Sequence, residues 1–154
     1  MVLPGLRQAP PTPTTYRVLG SYEQKIARAM SMAIFPKGGP LSPSGEDTGV
    51  SYFFDSYLAD VPSEIRLGLR AFLFIFEFLP ILFIFKLSRF TTLDDADKEK
   101  YFDVWQNHRI FWLRAALLGV KSVFCLQYYA DEKVREEIGF YITCDGKSGK
   151  HSRA

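Results

Sequence analysis

Few residues of this chain have the type and spacing that catalysis or metal binding requires. Its histidines and cysteines are His108, His151, Cys125 and Cys144. A zinc site or a serine–histidine pair needs several side chains that converge, and these four are too few and too widely spaced to predict one. The glycine-containing segments 38–39 and 146–149 match neither a dinucleotide fingerprint nor a phosphate-binding loop. We therefore predict no catalytic, metal-binding or cofactor-binding residue in this chain.

One carboxylate stands in unusual surroundings. Glu77 lies inside the run AFLFIFEFLPILFIF, residues 71–85, which contains no other charged side chain. A carboxylate among apolar groups can serve as an acid or a base at a functional site. It can equally pair with a cation, and Arg70 stands seven residues earlier on the same helical face. We interpret Arg70 and Glu77 as a buried ion pair that orients helices.

Cations and aromatic residues between positions 105 and 129 are spaced for contact with a partner. Arg114 and Lys121 are seven residues apart, so both project from one side of a helix. The alternative is that both are solvated charges whose stems cover apolar surface. Tyr128 and Tyr129 are amphipathic residues of the kind enriched at interfaces. The predicted partner-binding residues are Trp105, Arg109, Trp112, Arg114, Lys121, Tyr128 and Tyr129.

The composition indicates one folded domain without a strong surface charge. The chain has 154 residues, 47% hydrophobic and 16% aromatic, which is enough to form a core without disulfides. Its 19 basic and 17 acidic residues are scattered and leave a net charge of +2, which argues against nucleic-acid binding. Residues 1–20 contain neither an apolar export segment nor a twin-arginine pair, so we predict a cytoplasmic protein.

The hydrophobic pattern predicts an all-α fold, a single compact bundle of about five to six helices. Pro10, Pro11 and Pro13 make residues 1–20 an extended proline-rich arm. Residues 21–141 form the helical domain, and residues 142–154 form a flexible polar tail.

Capping residues and prolines set the expected boundaries of the first helices. Ser21 and Gln24 form a capping box for a helix that ends at Pro36. A second helix covers residues 47–59. The apolar run 71–85 is longer than a typical strand, so it is predicted to be a buried helix kinked at Pro80.

The second half of the chain is predicted to contain two or three further helices. Thr92 and Asp95 form a capping box for the first of them. The pattern leaves open whether this helix continues to Tyr129 or bends near His108. Asp131 caps a short last helix over residues 132–138.

The segment from Arg89 to Phe140 carries a recognisable pattern of spaced aromatic and cationic residues. It contains RF at 89–90, KYFDVWQ at 100–106, RAALLGVKSVFCLQYYAD at 114–131 and IGF at 138–140. This pattern resembles the gluconate 2-dehydrogenase subunit 3 family, the small helical subunit of flavoprotein oxidoreductases of the glucose-methanol-choline (GMC) type. It is also similar to the N-terminal helical region of long-chain alcohol oxidases.

The resemblance implies a non-catalytic accessory subunit that stabilises a GMC-type flavoprotein large subunit acting on alcohols. FAD is then expected on the partner and no cofactor on this chain. In the fused enzymes the helical region runs on into the flavin domain, whereas here residues 138–140 precede a short polar tail. We therefore expect the flavoprotein to be a separate polypeptide.

Two other functions remain open from the sequence. The first is a membrane-associated helical protein anchored through residues 71–85. Fifteen residues separate Arg70 from Lys86, fewer than the roughly twenty that a spanning helix needs, so peripheral contact with a membrane or an apolar substrate is expected rather than a span. The second is a small enzyme that uses Glu77, His108 and Tyr128, although no pattern brings these three side chains together.

Overall fold

The regular structure of residues 15–140, which are the residues that the computed structural model describes, is entirely helical. The predicted all-α fold is therefore confirmed, with seven α-helices in this part of the chain where five to six were expected. Pro80 accounts for the extra one, because it separates a one-turn helix from the longer helix before it. The expected tail and most of the expected arm lie outside the described residues. The helices are α1 Ser21–Ile34, α2 Val50–Asp60, α3 Ser63–Phe78, α4 Pro80–Phe83, α5 Asp95–Gln106, α6 Phe111–Ala130 and α7 Glu132–Glu137.

The cap of α1 lies one residue earlier than predicted. Gly20 is the N-cap, and the Glu23 carboxylate accepts a hydrogen bond from the Gly20 N–H at 2.7 Å. The predicted box of Ser21 and Gln24 is therefore wrong by one position. Glycine is an accepted N-cap, and the charged Glu23 side chain is a stronger acceptor for a backbone N–H than a neutral amide. The helix ends before Pro36, as expected.

Aspartates cap α5 and α7. The Asp94 carboxylate accepts a hydrogen bond from the Asp97 N–H at 2.8 Å, so the cap of α5 lies two residues after the predicted cap, Thr92. Thr92 belongs instead to a short 3-10 helix, Phe90–Thr92. Asp131 caps α7 as predicted, because its side chain accepts hydrogen bonds from two backbone N–H groups of the first turn.

The apolar segment 71–85 is helical but not buried on all sides. α3 begins at Ser63 and ends at Phe78, and Pro80 then occupies the first turn of α4, where its missing N–H costs nothing. The expectation of a buried helix kinked at Pro80 is therefore corrected. α3 packs against α1 and α2 from one side, which leaves the opposite side in solvent.

The core is a cluster of aromatic rings around Phe76. The centre of its ring lies 4.7 Å from Phe90, 4.8 Å from Tyr101, 5.3 Å from Phe102 and 5.1 Å from Trp105. The Tyr101 hydroxyl donates to the Phe76 carbonyl at 2.8 Å, so this buried polar atom is satisfied. Each aromatic pair contributes about 0.5–1.5 kcal/mol beyond the burial of its area. The cluster joins α3 to α5, on which α6 packs.

The helix is interrupted between α5 and α6. The sequence left open whether one helix continues to Tyr129 or bends near His108, and the structure shows two helices separated near His108. His108 holds this break: its Nδ1 accepts a hydrogen bond from the Ile110 N–H at 3.0 Å, and its ring stacks on Phe83 of α4 at 5.0 Å. Its carbonyl also accepts a hydrogen bond from Arg114 at 2.8 Å. α6 starts after the break and contains 20 residues, a length of about 30 Å.

Candidate partner-binding face

Two of the predicted partner-binding residues belong to the core. Trp105 is fully buried and Tyr128 is 3% exposed. Trp105 packs edge-on against Phe72 at 5.5 Å, while Tyr128 stacks on Phe35 at 3.8 Å and its hydroxyl donates to the Pro43 carbonyl at 2.7 Å. Burial also raises the pKa of the Tyr128 phenol. Their assignment to a partner contact is corrected, because both rings are covered by the chain itself.

The other five predicted residues are accessible along or near α6. Trp112 is 77% exposed and Tyr129 is 49% exposed. Arg109 and Arg114 are exposed at the start of α6, and Lys121 is half-buried in its middle. These five residues keep their interpretation as candidates for partner contact.

The outer face of α6 is a continuous exposed surface. Large apolar side chains lie at both of its ends, and Leu118 lies beside the small residues in its middle. Its residues recur at helical spacing, which places them on one side of the helix. Leu118 and Leu126 are 65% and 66% exposed, values typical of surface polar residues rather than leucines. Extended apolar surface of this kind marks sites of binding to other molecules. We define the outer face of α6 as Phe111, Trp112, Leu118, Gly119, Ser122, Leu126 and Tyr129.

Small residues make the middle of this face shallow. Gly119 has open space on its outer side, since a Cβ added there meets no heavy atom within 4 Å. The Ser122 hydroxyl donates to the Leu118 carbonyl of its own helix at 2.8 Å, so it needs no outside partner. With Ala115 these residues form a narrow strip between the leucines. A second helix can therefore approach α6 closely at this point.

The charges next to the outer face of α6 are basic. The sequence has no acidic residue from Val104 to Ala130. The Arg114 guanidinium lies 5.9 Å above the centre of the Phe111 ring while it donates to the His108 carbonyl. The ammonium of Lys121 lies 3.5 Å from the side-chain oxygen of Gln106, which is a long hydrogen bond. A binding partner with acidic side chains at its rim would complement this edge.

The predicted ion pair between Arg70 and Glu77 does not form. Arg70 instead binds Glu23 of α1 through two guanidinium nitrogens, at 2.7 Å and 3.0 Å. Glu77 is fully buried and accepts hydrogen bonds from the Tyr22 hydroxyl at 3.1 Å and the Thr91 hydroxyl at 2.6 Å. A pair seven residues apart on α3 was expected, but α1 brings a closer carboxylate to Arg70. Both carboxylates therefore hold segments of the fold together.

A third buried carboxylate, Asp55, was not predicted from the sequence. Asp55 of α2 is fully buried and accepts hydrogen bonds from the backbone N–H groups of Arg17, Val18 and Leu19, at 2.5, 2.9 and 2.7 Å. This single side chain fixes the segment that leads into α1. The only signal was an aspartate in the middle of a helix with many apolar residues, and this pattern is equally typical of an exposed position.

The remaining features of the described residues do not assemble into a reactive site. An open groove of about 1040 Å³ between α1 and α5 is lined by charges of both signs, among them Lys37, Glu99, Lys100 and Asp103. Burial raises the pKa of the Cys125 thiol, which keeps it in the unreactive protonated form near neutral pH. Within residues 15–140, no group of three or more histidine, cysteine, aspartate or glutamate side chains lies close enough to hold a metal ion.

Comparison of the chain with models of known protein families, with curated proteins and with solved structures finds no match. Among the helices of residues 15–140, none combines the length and the apolar character that crossing a membrane requires.

Proposed function

We propose that this chain is the non-catalytic small subunit of an FAD-dependent GMC-type alcohol oxidoreductase. It binds the flavoprotein subunit through the outer face of α6 and stabilises that subunit's fold. FAD and the catalytic residues belong to the partner. The observation that carries the proposal is the exposed outer face of α6, where tryptophan, tyrosine and leucine side chains flank a strip of small residues.

The composition of this face supports a protein as the bound molecule. Tryptophan, tyrosine and arginine dominate the binding energy of protein interfaces, and Trp112, Tyr129 and Arg114 lie on or beside this face. The strip at Gly119 suits the close packing of a helix. The basic edge adds selectivity for a partner with acidic residues around its apolar patch.

The resemblance to the small-subunit family supports the identity of the partner. The segment that carries the resemblance, residues 89–140, contains α5, α6 and α7. Two of its aromatic positions, Trp105 and Tyr128, form the core, while Tyr129 points into solvent. One pattern thus contains both the residues that shape α6 and the residues that α6 presents to a partner.

Co-expression with a GMC-type flavoprotein of the same organism tests the proposal. Size-exclusion chromatography with absorbance read in the flavin band is expected to show this chain and the yellow flavoprotein in one peak. Changing Trp112→Ala together with Tyr129→Ala removes two exposed interface aromatics and is expected to separate the peaks. The matched control is Phe74→Ala with Phe78→Ala, two aromatics of α3 that are 40% and 48% exposed, and it is expected to leave the complex intact.

Other outcomes would contradict the proposal. A folded, colourless chain that elutes apart from the flavoprotein would contradict it directly. Equal loss of the complex in the α6 and α3 variants would mean that the association is unspecific. Since a partner that binds only the folded state raises stability, the flavoprotein should also melt at a higher temperature when this chain is present.

A further inference from the structure

A second apolar surface runs along α3, α4 and the loop that follows α4. Six exposed apolar side chains define this surface, which we call the α3–α4 ridge: Phe74, Phe78, Ile81, Leu82, Phe85 and Leu87. They are 40%, 48%, 41%, 67%, 90% and 95% exposed, respectively. None of them belongs to the outer face of α6, so the proposed flavoprotein contact leaves this surface unexplained.

The ridge offers almost no hydrogen-bonding groups. Between Arg70 and Lys86 the only charged side chain is Glu77, which is fully buried and bonded within the fold. Every exposed side chain from position 71 to position 85 is therefore apolar. Protein interfaces carry about one hydrogen bond per 100–200 Å² and a polar rim. The boundary between headgroups and acyl chains of a lipid bilayer does not require hydrogen-bonding groups, because it accepts apolar side chains without directional bonds.

The tip of the ridge is formed by a strained backbone. Phe85 has a φ of 53°, in the left-handed region that bulky residues avoid, and it is the only residue other than glycine with positive φ among residues 15–140. This conformation places the ring almost entirely in solvent. Strain that serves to expose an apolar side chain is of no benefit to the isolated fold, and strained residues cluster at functional sites.

Cations accompany the tip. Lys86 lies between Phe85 and Leu87, and the exposed Arg89 follows two residues later. No acidic residue occurs from Phe78 to Leu93, and the first acids beyond it are at the start of α5, where Asp97 is paired with Lys86. The exposed Arg89, next to exposed aromatic and aliphatic side chains, suits a surface of anionic headgroups above acyl chains.

We propose that the α3–α4 ridge binds the surface of an anionic lipid bilayer. Phe85 and Leu87 insert at the boundary between headgroups and acyl chains, and α3 lies along that boundary with its exposed side toward lipid. The exposed Arg89 contacts the lipid phosphates, while Lys86 stays paired with Asp97. The contact is peripheral, and it is independent of the proposed flavoprotein contact because it uses different residues on different helices.

Sedimentation with vesicles tests this inference on the full chain. The probes are vesicles of phosphatidylcholine alone and of equal parts phosphatidylcholine and phosphatidylglycerol. The chain is expected to sediment with the mixed vesicles and more weakly with the neutral ones. Changing Phe85→Ser together with Leu87→Ser should lower binding at least about tenfold, given the free energy of each apolar group that leaves the lipid. Arg89→Gln should lower binding to the mixed vesicles and leave binding to neutral ones unchanged.

The control is the double variant Leu118→Ser with Leu126→Ser, which changes two apolar residues on the outer face of α6. This variant should bind vesicles as the unchanged chain does. Circular dichroism verifies that each variant keeps its helices. Failure of the folded chain to bind either vesicle would overturn the inference, as would unchanged binding by the ridge variant. Equal loss in the control pair would overturn it too. The inference would also be overturned if the chain did not bind vesicles but formed a dimer, and if the ridge variant were a monomer. A second copy of the chain would then cover the ridge.

Discussion

Three buried carboxylates act as links between segments of this fold. Glu23 joins α1 to Arg70 of α3, Asp55 joins α2 to the segment before α1, and Glu77 joins α3 to Tyr22 and Thr91. An unpaired charge in such a position costs several kcal/mol, and each of these carboxylates offsets that cost with two or more hydrogen bonds. Removing one of them leaves its donors without partners, which is more damaging than removing a solvated charge.

Asp55→Ala is expected to destabilise the fold by about 2–3 kcal/mol, because three backbone N–H groups lose a charged acceptor. Urea unfolding followed by circular dichroism measures this loss. Asp60→Ala is the control, since Asp60 is exposed at the end of the same helix and should change stability by less than about 0.5 kcal/mol. Similar losses in the two variants would show that Asp55 does not anchor residues 17–19.

Phe85→Gly is expected to raise the free energy of unfolding by about 0.5–1 kcal/mol, because glycine adopts a positive φ without strain and the lost ring makes few contacts. The same change should weaken vesicle binding. Thermal unfolding and sedimentation measure the two effects. Leu87→Gly is the control: its side chain is 95% exposed but its φ is not positive, so it should weaken vesicle binding without stabilising the fold. A destabilised Phe85→Gly variant would argue against backbone strain at this site.

At the scale of elements, α6 serves two purposes at once. Its inner side, with Leu117, Val120 and Phe124 buried, packs against α2 and α5. Its outer side presents Leu118, Leu126 and the strip at Gly119. The glycine is unfavourable within a helix, and no neighbour within the chain fills the space beside it. In the proposed complex, this open space is where a helix of the flavoprotein would pack.

Gly119→Ala is expected to stabilise the isolated chain by about 0.5–1 kcal/mol through helix propensity alone and to weaken the flavoprotein complex by holding the two helices apart. Gly68→Ala is the matched control. Gly68 also lies within a helix, and an added Cβ meets nothing there within 4 Å. It should give the same stabilisation without affecting the complex. Unfolding by urea and chromatography of the complex supply the two measurements, and an unaffected Gly119→Ala complex would exclude close helix packing at the strip.

The helices were predictable from the sequence because their signals are local. Asp131 before α7 and Pro36 after α1 fix boundaries through contacts within a few residues of the chain. The partners of Arg70 and Tyr128 were not predictable, because they lie 47 and 85 residues away in sequence. Periodicity ranks Trp105 and Trp112 equally as candidates for contact. Contacts with Phe72, Phe76 and Phe83, which are distant in sequence, bury Trp105, whereas Trp112 lies on the exposed side of α6.

At the scale of the whole molecule, the two apolar surfaces lie on different helices and differ in chemistry. The outer face of α6 combines aromatic residues, a small-residue strip and arginine, as protein interfaces do. The α3–α4 ridge has only apolar side chains, and the exposed Arg89 lies beside its tip. A chain that uses both would hold a flavoprotein near a membrane surface, where alcohols with long apolar chains are concentrated.

The two surfaces are expected to act separately, and this independence can be measured. Trp112→Ala with Tyr129→Ala should abolish the flavoprotein complex and leave vesicle binding unchanged, while Phe85→Ser with Leu87→Ser should do the reverse. Wild-type chain should also carry the flavoprotein into the vesicle pellet, as read by flavin absorbance, and each double variant should leave it in the supernatant. Loss of both activities in either variant would mean that one surface serves both. Distant sites without shared contacts contribute additively, so simultaneous loss in a folded variant would contradict the assignment of two faces.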